Sequence, residues 1–409
     1  MRCAGVADVI DAVTFARTHD LVVSVRGGGH NVAGKSVCNG GLMIDLSKMR
    51  SVQVDPGKRT ARVAGGATLG DLDRATQVFS LATTAGVVTH TGVAGLTLGG
   101  GVGRLARKYG LACDNLLSVD LVTAEGQVLR ASAAENADLF WGVRGGGGNF
   151  GIVTSFEFRL HPVGPGVLGG TVIYPLEKAR EALKLYYEHS HAAPDELSAD
   201  AFLLTSPDGN QVFAIDVCYT GSPEQGERVL QPFRRLGSAL SDQIGPIAYT
   251  ELQASGDVFF PIGLHYYYKS HFIREISDDA IGALLSHFTT DPLPGSVVAF
   301  QQYRGAVSRV GPSATAFGHR DAQYNLIPTS IWTDPRECET HIKWVRELWD
   351  LMKPFSTGGV YVNNLGEEGE DQIRAAYGNN YERLVSLKNK YDPDNFFRLN
   401  ANIKPTVKK

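Results

Sequence analysis

The stretch VVSVRGGGHNVAGKSVCNGGLMIDL, residues 22–46, decides how this chain is read. Val22, Val23 and Val25 set β-branched side chains too close together for a helical face, which predicts a buried strand. The strand runs directly into Arg26-Gly27-Gly28-Gly29-His30. Successive glycines let the backbone turn through positive φ and leave amide N–H groups unshielded, a geometry able to cradle a pyrophosphate. The same residues also suit a tight turn with no ligand, and the pattern alone admits both. A second apolar strand is expected at residues 42–46. Because no helix follows the glycines directly, this is not the dinucleotide fingerprint of strand, glycines and helix.

The rest of the composition bounds the answer. At 409 residues the chain is long for one domain, and two or three are expected. Its 43% hydrophobic and 20% charged residues suit a protein with a large buried core. A formal net charge of −4 gives no electrostatic footprint for nucleic acid or an anionic membrane. No apolar run is long enough to span a bilayer. Cys3, Cys38, Cys113, Cys218 and Cys338 lie far apart without a CxxC pair, so neither a disulfide framework nor a metal site is expected. That usage fits a cytoplasmic protein. No signal peptide is visible, and the chain opens almost on its first helix, which leaves room for a missing upstream segment.

Along the chain, apolar spacing predicts a helix over 6–18 and a hairpin over 51–64 around Asp55-Pro56-Gly57. Thr68 is positioned to cap a helix through Leu69, Leu72 and Val78. Residues 86–103 hold seven glycines among eighteen, too many for a helix or regular strand. A hairpin is expected over 116–130, and a third glycine cluster at 141–151 leads into a strand over 152–160. Residues 161–166 read as a linker. Beyond them glycine clusters vanish, and alternating runs (198–204, 211–219) mixed with helical stretches (176–189, 278–288) predict an antiparallel sheet flanked by helices. A helix over 335–352 carries Trp344 and Trp349 as core residues, and another covers 380–390. Three glycine-rich loops in the first 151 residues point to one elongated, phosphate-bearing ligand, a dinucleotide, laid against bare backbone.

Five motifs carry a resemblance: RGGGHN (26–31), GVVTHTGVAGLTLGGGVG (86–103), RKYGLACDNLLSVDLVTAEG (107–126), FWGVRGGGGNFGIVT (140–154) and YGNNYERLVSLKNKYDPDNFFRLNANI (377–403). Together they resemble the FAD-linked oxidases of the berberine-bridge-enzyme type, within the vanillyl-alcohol-oxidase flavoprotein superfamily. The resemblance implies an α+β fold with an FAD-binding domain from residues 1–161 and 377–409. An inserted substrate domain, 162–376, would roof the flavin with its antiparallel sheet. His30 matches the histidine that bonds covalently to the flavin. Val88 stands where some relatives carry a second attaching cysteine, so a single attachment is expected. Arg26, Gly27, Gly28, Gly29 and Asn31 match the pyrophosphate loop, and Thr91, Gly92, Gly95, Gly99, Gly100 and Gly101 its second wall. Gly110, Leu111, Asp114, Gly151 and Val153 match positions along the adenosine half, and Asn400 and Asn402 a tail that folds back on the flavin.

The implied reaction is hydride transfer from an alcohol, sugar, phenolic or amine C–H to flavin N5, with O2 reoxidising the flavin to give hydrogen peroxide. Such chemistry needs a group to take or orient the substrate's O–H or N–H proton. Residues 359–364 resemble the family strand that carries a tyrosine, which selects Tyr361 as base or orienter; a purely structural tyrosine fits equally. A phenolate there would need nearby cations. The acidic base of plant members would fall near Ser308-Arg309, where no carboxylate stands. His319-Arg320 and Tyr266-Tyr267-Tyr268-Lys269 are further candidates. A flavin dehydrogenase with another acceptor, or a silent nucleotide-binding relative, remains open as an alternative.

Overall fold

Alternating apolar residues build two sheets. In the computed structural model, which describes residues 1–290 and 293–406, the first sheet has five strands. Their order is Val52–Asp55, Thr60–Ala64, Ile152–Arg159, Leu116–Val122 and Val128–Ser132, with every pairing antiparallel. The two expected hairpins are its outer pairs. Ala61 sits opposite Phe158 and Val63 opposite Phe156, so the period-2 pattern buries all four on one face. The C-terminal tail packs into the same core through Tyr377, Tyr381, Leu384 and Ile403. A fully buried ion pair, Lys388 Nζ to Asp392 at 2.6 Å, clamps that tail, and Nζ also donates to the carbonyls of Asn149 and Phe397.

The strands flanking the first glycine loop, Val23–Arg26 and Leu42–Asp45, pair in parallel. Parallel neighbours require a crossover, and here residues 27–41 make it as bare loop instead of a helix. The first glycines therefore leave the strand end uncovered.

Residues 166–332 form a nine-stranded antiparallel sheet. Helices Ala179–Ala192, Pro223–Arg235, Asp278–Thr290 and Cys338–Met352 cover one face, where Val298, Phe300, Tyr324 and Leu326 are buried. Trp344 lies in this core, and Trp349 is also buried. The alternation sends Tyr268, Gln301 and Ile327 to the other face, toward the glycine loops. The chain thus adopts the expected α+β architecture. Helix Val6–Thr18 spans the residues its apolar spacing predicted, and Thr68 caps helix Leu69–Gln77 by accepting from the Asp71 N–H.

Three local expectations fail for physical reasons. Inside the glycine cluster at 86–103, residues Val93–Leu98 form a short helix, because this stretch holds a single glycine among apolar residues. The segment 161–166 is no free linker: His161–Pro162 pairs with Leu81–Ala82, and the next strand starts at Gly166. Residues 359–364 are not a strand. Gly358 sits at φ +86°, the Tyr361 N–H donates to Ser270 Oγ, and Val362–Asn364 close a 3-10 turn. Among the described residues no helix is long and apolar enough to cross a membrane, and the five cysteines are free.

Candidate cofactor and active site

One cavity of about 390 Å³ gathers the three glycine loops, the C-terminal tail and the uncovered face of the large sheet. Its wall includes Gly27, Gly28, Gly29, His30 and Asn31 from the first loop, then Val88, Thr91, Gly92 and Gly95 from the second. Gly147, Gly148, Gly151 and Val153 come from the third, Leu399, Asn400 and Ala401 from the tail. A Cβ on Gly28 would lie 2.1 Å from the Gly92 nitrogen, so the first two loops touch backbone to backbone. A Cβ on Gly95 or Gly148 would meet nothing within 4 Å; these positions present bare main chain to open space. Lys35 ties the first loop to the tail, its Nζ donating to the Asn400 carbonyl at 3.0 Å. Among the described residues it is the one formally charged side chain in the wall, and it is a cation. Asn400 Oδ1 is buried with no partner, an acceptor awaiting an N–H.

Solvent reaches the His30 ring, which carries contacts on both nitrogens. Nε2 lies 2.7 Å from His90 Nδ1, and Nδ1 lies 3.4 Å from Thr91 Oγ1. Desolvation, together with the neighbouring His90, pulls the His30 imidazolium down to about 4, and Asp257 counters this only in part. A neutral imidazole with an available lone pair results.

Tyr361 is buried, its ring packed edge-on against Tyr303 and Phe317. Its Oη accepts from the Gly101 N–H at 3.0 Å and from Asn363 Nδ2 at 2.8 Å. Both bonds occupy acceptor sites of the oxygen, and the Tyr361 side chain lines the cavity. The expected stabilising cations are absent from its hydrogen-bond shell, which is made of neutral donors. Desolvation pushes the phenol up to about 12, with those two donors only moderating the rise. At neutral pH Tyr361 keeps its proton and is no poised phenolate. Tyr268, Gln301 and Asn364 complete this end of the cavity.

Several matched residues stand outside the wall. Arg26 pairs with Asp45 at 3.7 Å and braces the strand that leads into the loop. Gly99 leaves room for Asn363, whose Oδ1 a Cβ would approach to 2.0 Å. Gly100 and Gly101 sit at φ +122° and +80°, where they hold Cys113 and Ala112 by backbone bonds. Gly110, Leu111 and Asp114 form a packed corner: Asp114 accepts two bonds of 2.7 Å from the buried Arg320 and one from the Leu111 N–H. Asn402 Oδ1 is buried without a partner, away from the wall. His319 donates from Nε2 to the Ala375 carbonyl and packs on Phe272, so neither it nor Arg320 reaches the cavity. Sequence reasoning passed over His90, Lys35, Phe260, Gln301 and Asn363. His90 lies inside a quoted motif, yet nothing local distinguishes it from a loop residue.

Comparison with known proteins agrees with this geometry. Residues 1–132 match the model of the FAD binding domain, and residues 360–404 the model described as berberine and berberine like. An FAD-linked oxidoreductase of Dictyostelium discoideum is 37% identical over 404 residues, covering 98% of this chain and 87% of that protein. The chain belongs to the berberine-bridge-like FAD-linked oxidoreductases. Another member, (R)-6-hydroxynicotine oxidase of Paenarthrobacter nicotinovorans, is 33% identical over 99% of this chain and 90% of its own length. Among solved structures, 6-hydroxy-D-nicotine oxidase from Arthrobacter nicotinovorans superposes with a TM-score of 0.90 at 30% identity, covering 98% and 91% of the two chains. Chitooligosaccharide oxidase gives 0.87 at 25% identity over 99% and 91%. The protein is therefore an FAD-dependent oxidoreductase of this type. Its cavity fits the cofactor: bare backbone at Gly95 and Gly148, a lone cation at Lys35 for phosphate, and an unpartnered acceptor at Asn400.

Proposed function

We propose that this oxidoreductase acts as an oxidase on a small neutral alcohol, sugar or phenolic substrate. The chemistry supplied by FAD when bound is uptake of a substrate hydride at flavin N5, followed by return of two electrons to O2 as hydrogen peroxide. Backbone amides of Gly27 to Gly29, Gly92 and Gly95 hold the pyrophosphate beside Lys35. Gly151, Val153 and Asn400 hold the rest of the dinucleotide. His30 carries the covalent bond, and Val88 in place of a cysteine leaves the attachment single. Tyr361 orients the substrate by donating its hydrogen bond to the reacting oxygen. Residues 1–161 with 377–409 act as the cofactor unit and 162–376 as the substrate unit. Five free cysteines agree with a cytoplasmic setting.

One observation carries this reading: bare backbone from three distant loops and the Tyr361 side chain meet in one cavity. A second supports a neutral substrate. No carboxylate stands among the described wall residues, so an ammonium would lose its hydration without gaining a countercharge. The test is anaerobic mixing of the holoenzyme with neutral alcohols, sugars, phenolics and amines, following bleaching of the flavin. Bleaching by a neutral alcohol and fast reoxidation in air support the proposal. Slow reoxidation favours a dehydrogenase with another acceptor, and no bleaching across the panel favours the silent alternative. Attachment is read separately, by flavin that stays with acid-precipitated protein and is lost in His30→Ala.

A further inference from the structure

The contact between His30 and His90 has no counterpart in the substrate chemistry, because His30 lines the cavity and His90 does not. We propose that His90 is the proton acceptor that lets His30 bond to the flavin, and that the bond forms through His30 Nδ1. This rests on the covalent attachment proposed above. The two ring nitrogens are 2.7 Å apart, and the rings lie 4.7 Å apart at 40°, hydrogen-bond distance for one imidazole N–H donating to the other ring. That contact occupies Nε2. The nitrogen left to form a bond is Nδ1, whose contact with Thr91 Oγ1 at 3.4 Å is weak enough for a ligand atom to displace.

The segment that carries His90 is held on both sides. Thr89 donates its N–H and its hydroxyl to Asp257, at 2.7 and 2.5 Å. The carbonyls of Thr89 and Thr91 accept from Gly70 and Leu69, in the first turn of helix Leu69–Gln77. The Thr91 N–H closes a turn onto the Val88 carbonyl. His90 is thereby held with its Nδ1 beside His30 Nε2. Asp257 is the carboxylate whose charge reaches His30 from this side.

An imidazole that attacks carbon becomes cationic unless it loses its other proton, and a desolvated cation here is disfavoured. In the proposed step the bond from His30 Nδ1 to the flavin ring methyl forms and one methyl C–H bond breaks. The proton on His30 Nε2 passes to His90 Nδ1. Two electrons go to O2, which with the two protons released gives hydrogen peroxide, so the product is a neutral histidyl linkage.

The test compares purified wild type, His90→Ala and His90→Gln, all full length. Total FAD is read from absorbance, and covalent FAD from intact mass and acid-stable fluorescence. Wild type is expected to carry covalent FAD, while both variants retain FAD with the covalent fraction formed at least about tenfold more slowly. Imidazole added to His90→Ala should restore attachment, a rescue that a merely structural role does not give. Linkage at Nδ1, read by mapping the histidyl-flavin peptide, is also expected. Variants that attach flavin at the wild-type rate overturn the role of His90 and leave His30 standing. Variants that lose FAD altogether assign His90 to binding and overturn the proposal too. Wild type without covalent FAD overturns the attachment itself.

Discussion

Replacing Tyr361 by Phe separates an orienting phenol from a base. The ring is 5% exposed and packs against Phe272, Tyr303 and Phe317, contacts that phenylalanine keeps. What is lost is one oxygen. The Gly101 N–H then has no acceptor, which costs about 1–3 kcal/mol for a buried donor. Asn363 Nδ2 loses less, because it still donates to the Leu96 carbonyl at 3.0 Å. Unfolding in urea should therefore show a loss of about 1–3 kcal/mol, too little to unfold a domain of ordinary stability. On the chemical side, ionising a phenol raised to about 12 costs about 7 kcal/mol at pH 7, too much for a resting base. A donor aimed at the reacting oxygen is worth about 10²-fold in rate. Anaerobic stopped-flow bleaching of the flavin should thus slow by that factor, equally from about pH 6 to 9. A wild-type ionisation near neutrality that disappears in the variant would refute the neutral-phenol reasoning. So would an unchanged rate.

Three further outcomes follow from the same geometry. Gly95 lies in helix Val93–Leu98 and its Cβ would enter the cavity, so Gly95→Ala should raise apo-protein stability by about 0.5–1 kcal/mol yet weaken FAD binding in titration; unchanged affinity would place the cofactor elsewhere. Lys388→Met strands Asp392 in a fully buried site and should cost about 3–5 kcal/mol by urea denaturation, with FAD released more readily as the tail loosens. Asp73 is buried and its carboxyl is raised to about 7 by desolvation, which the Gln253 amide only partly relieves. Its folded value exceeds its unfolded one, so the folded state holds the extra proton and stability falls as pH rises from about 4 to 7. Asp73→Asn should therefore match wild type near pH 4 and exceed it by up to about 4 kcal/mol above pH 7, in urea titrations at both ends. A difference that does not vary with pH would rule this out.

Much of the architecture was written locally. The bounds of helix Val6–Thr18, the cap at Thr68, the hairpins around residues 56–59 and 123–127 and strand Gln211–Tyr219 depend on spacing and turn chemistry within a dozen residues. Such signals survive whatever the remainder of the chain does. The glycine loops were legible too, since three such clusters in one chain point to a shared ligand where a single run fits a tight turn as well. Where the glycines diverge in role, at Gly95 against Gly99 to Gly101, sequence treated as one wall what packing divides into cavity surface and inner brace.

The chemistry of the site was settled at long range. His30 meets His90 across 60 positions, Tyr361 Oη accepts from the Gly101 N–H across 260, and Asp114 finds Arg320 across 206. No periodicity encodes such distances. Whether a tyrosine is a base or a donor depends on the dielectric and on which lone pairs are already engaged, and whether an aspartate touches ligand or arginine depends on which loop arrives beside it. Residue types and their order specified a flavin-binding α+β chain. Burial and convergence of distant segments then chose which of those residues face the ligand and in which protonation state they wait.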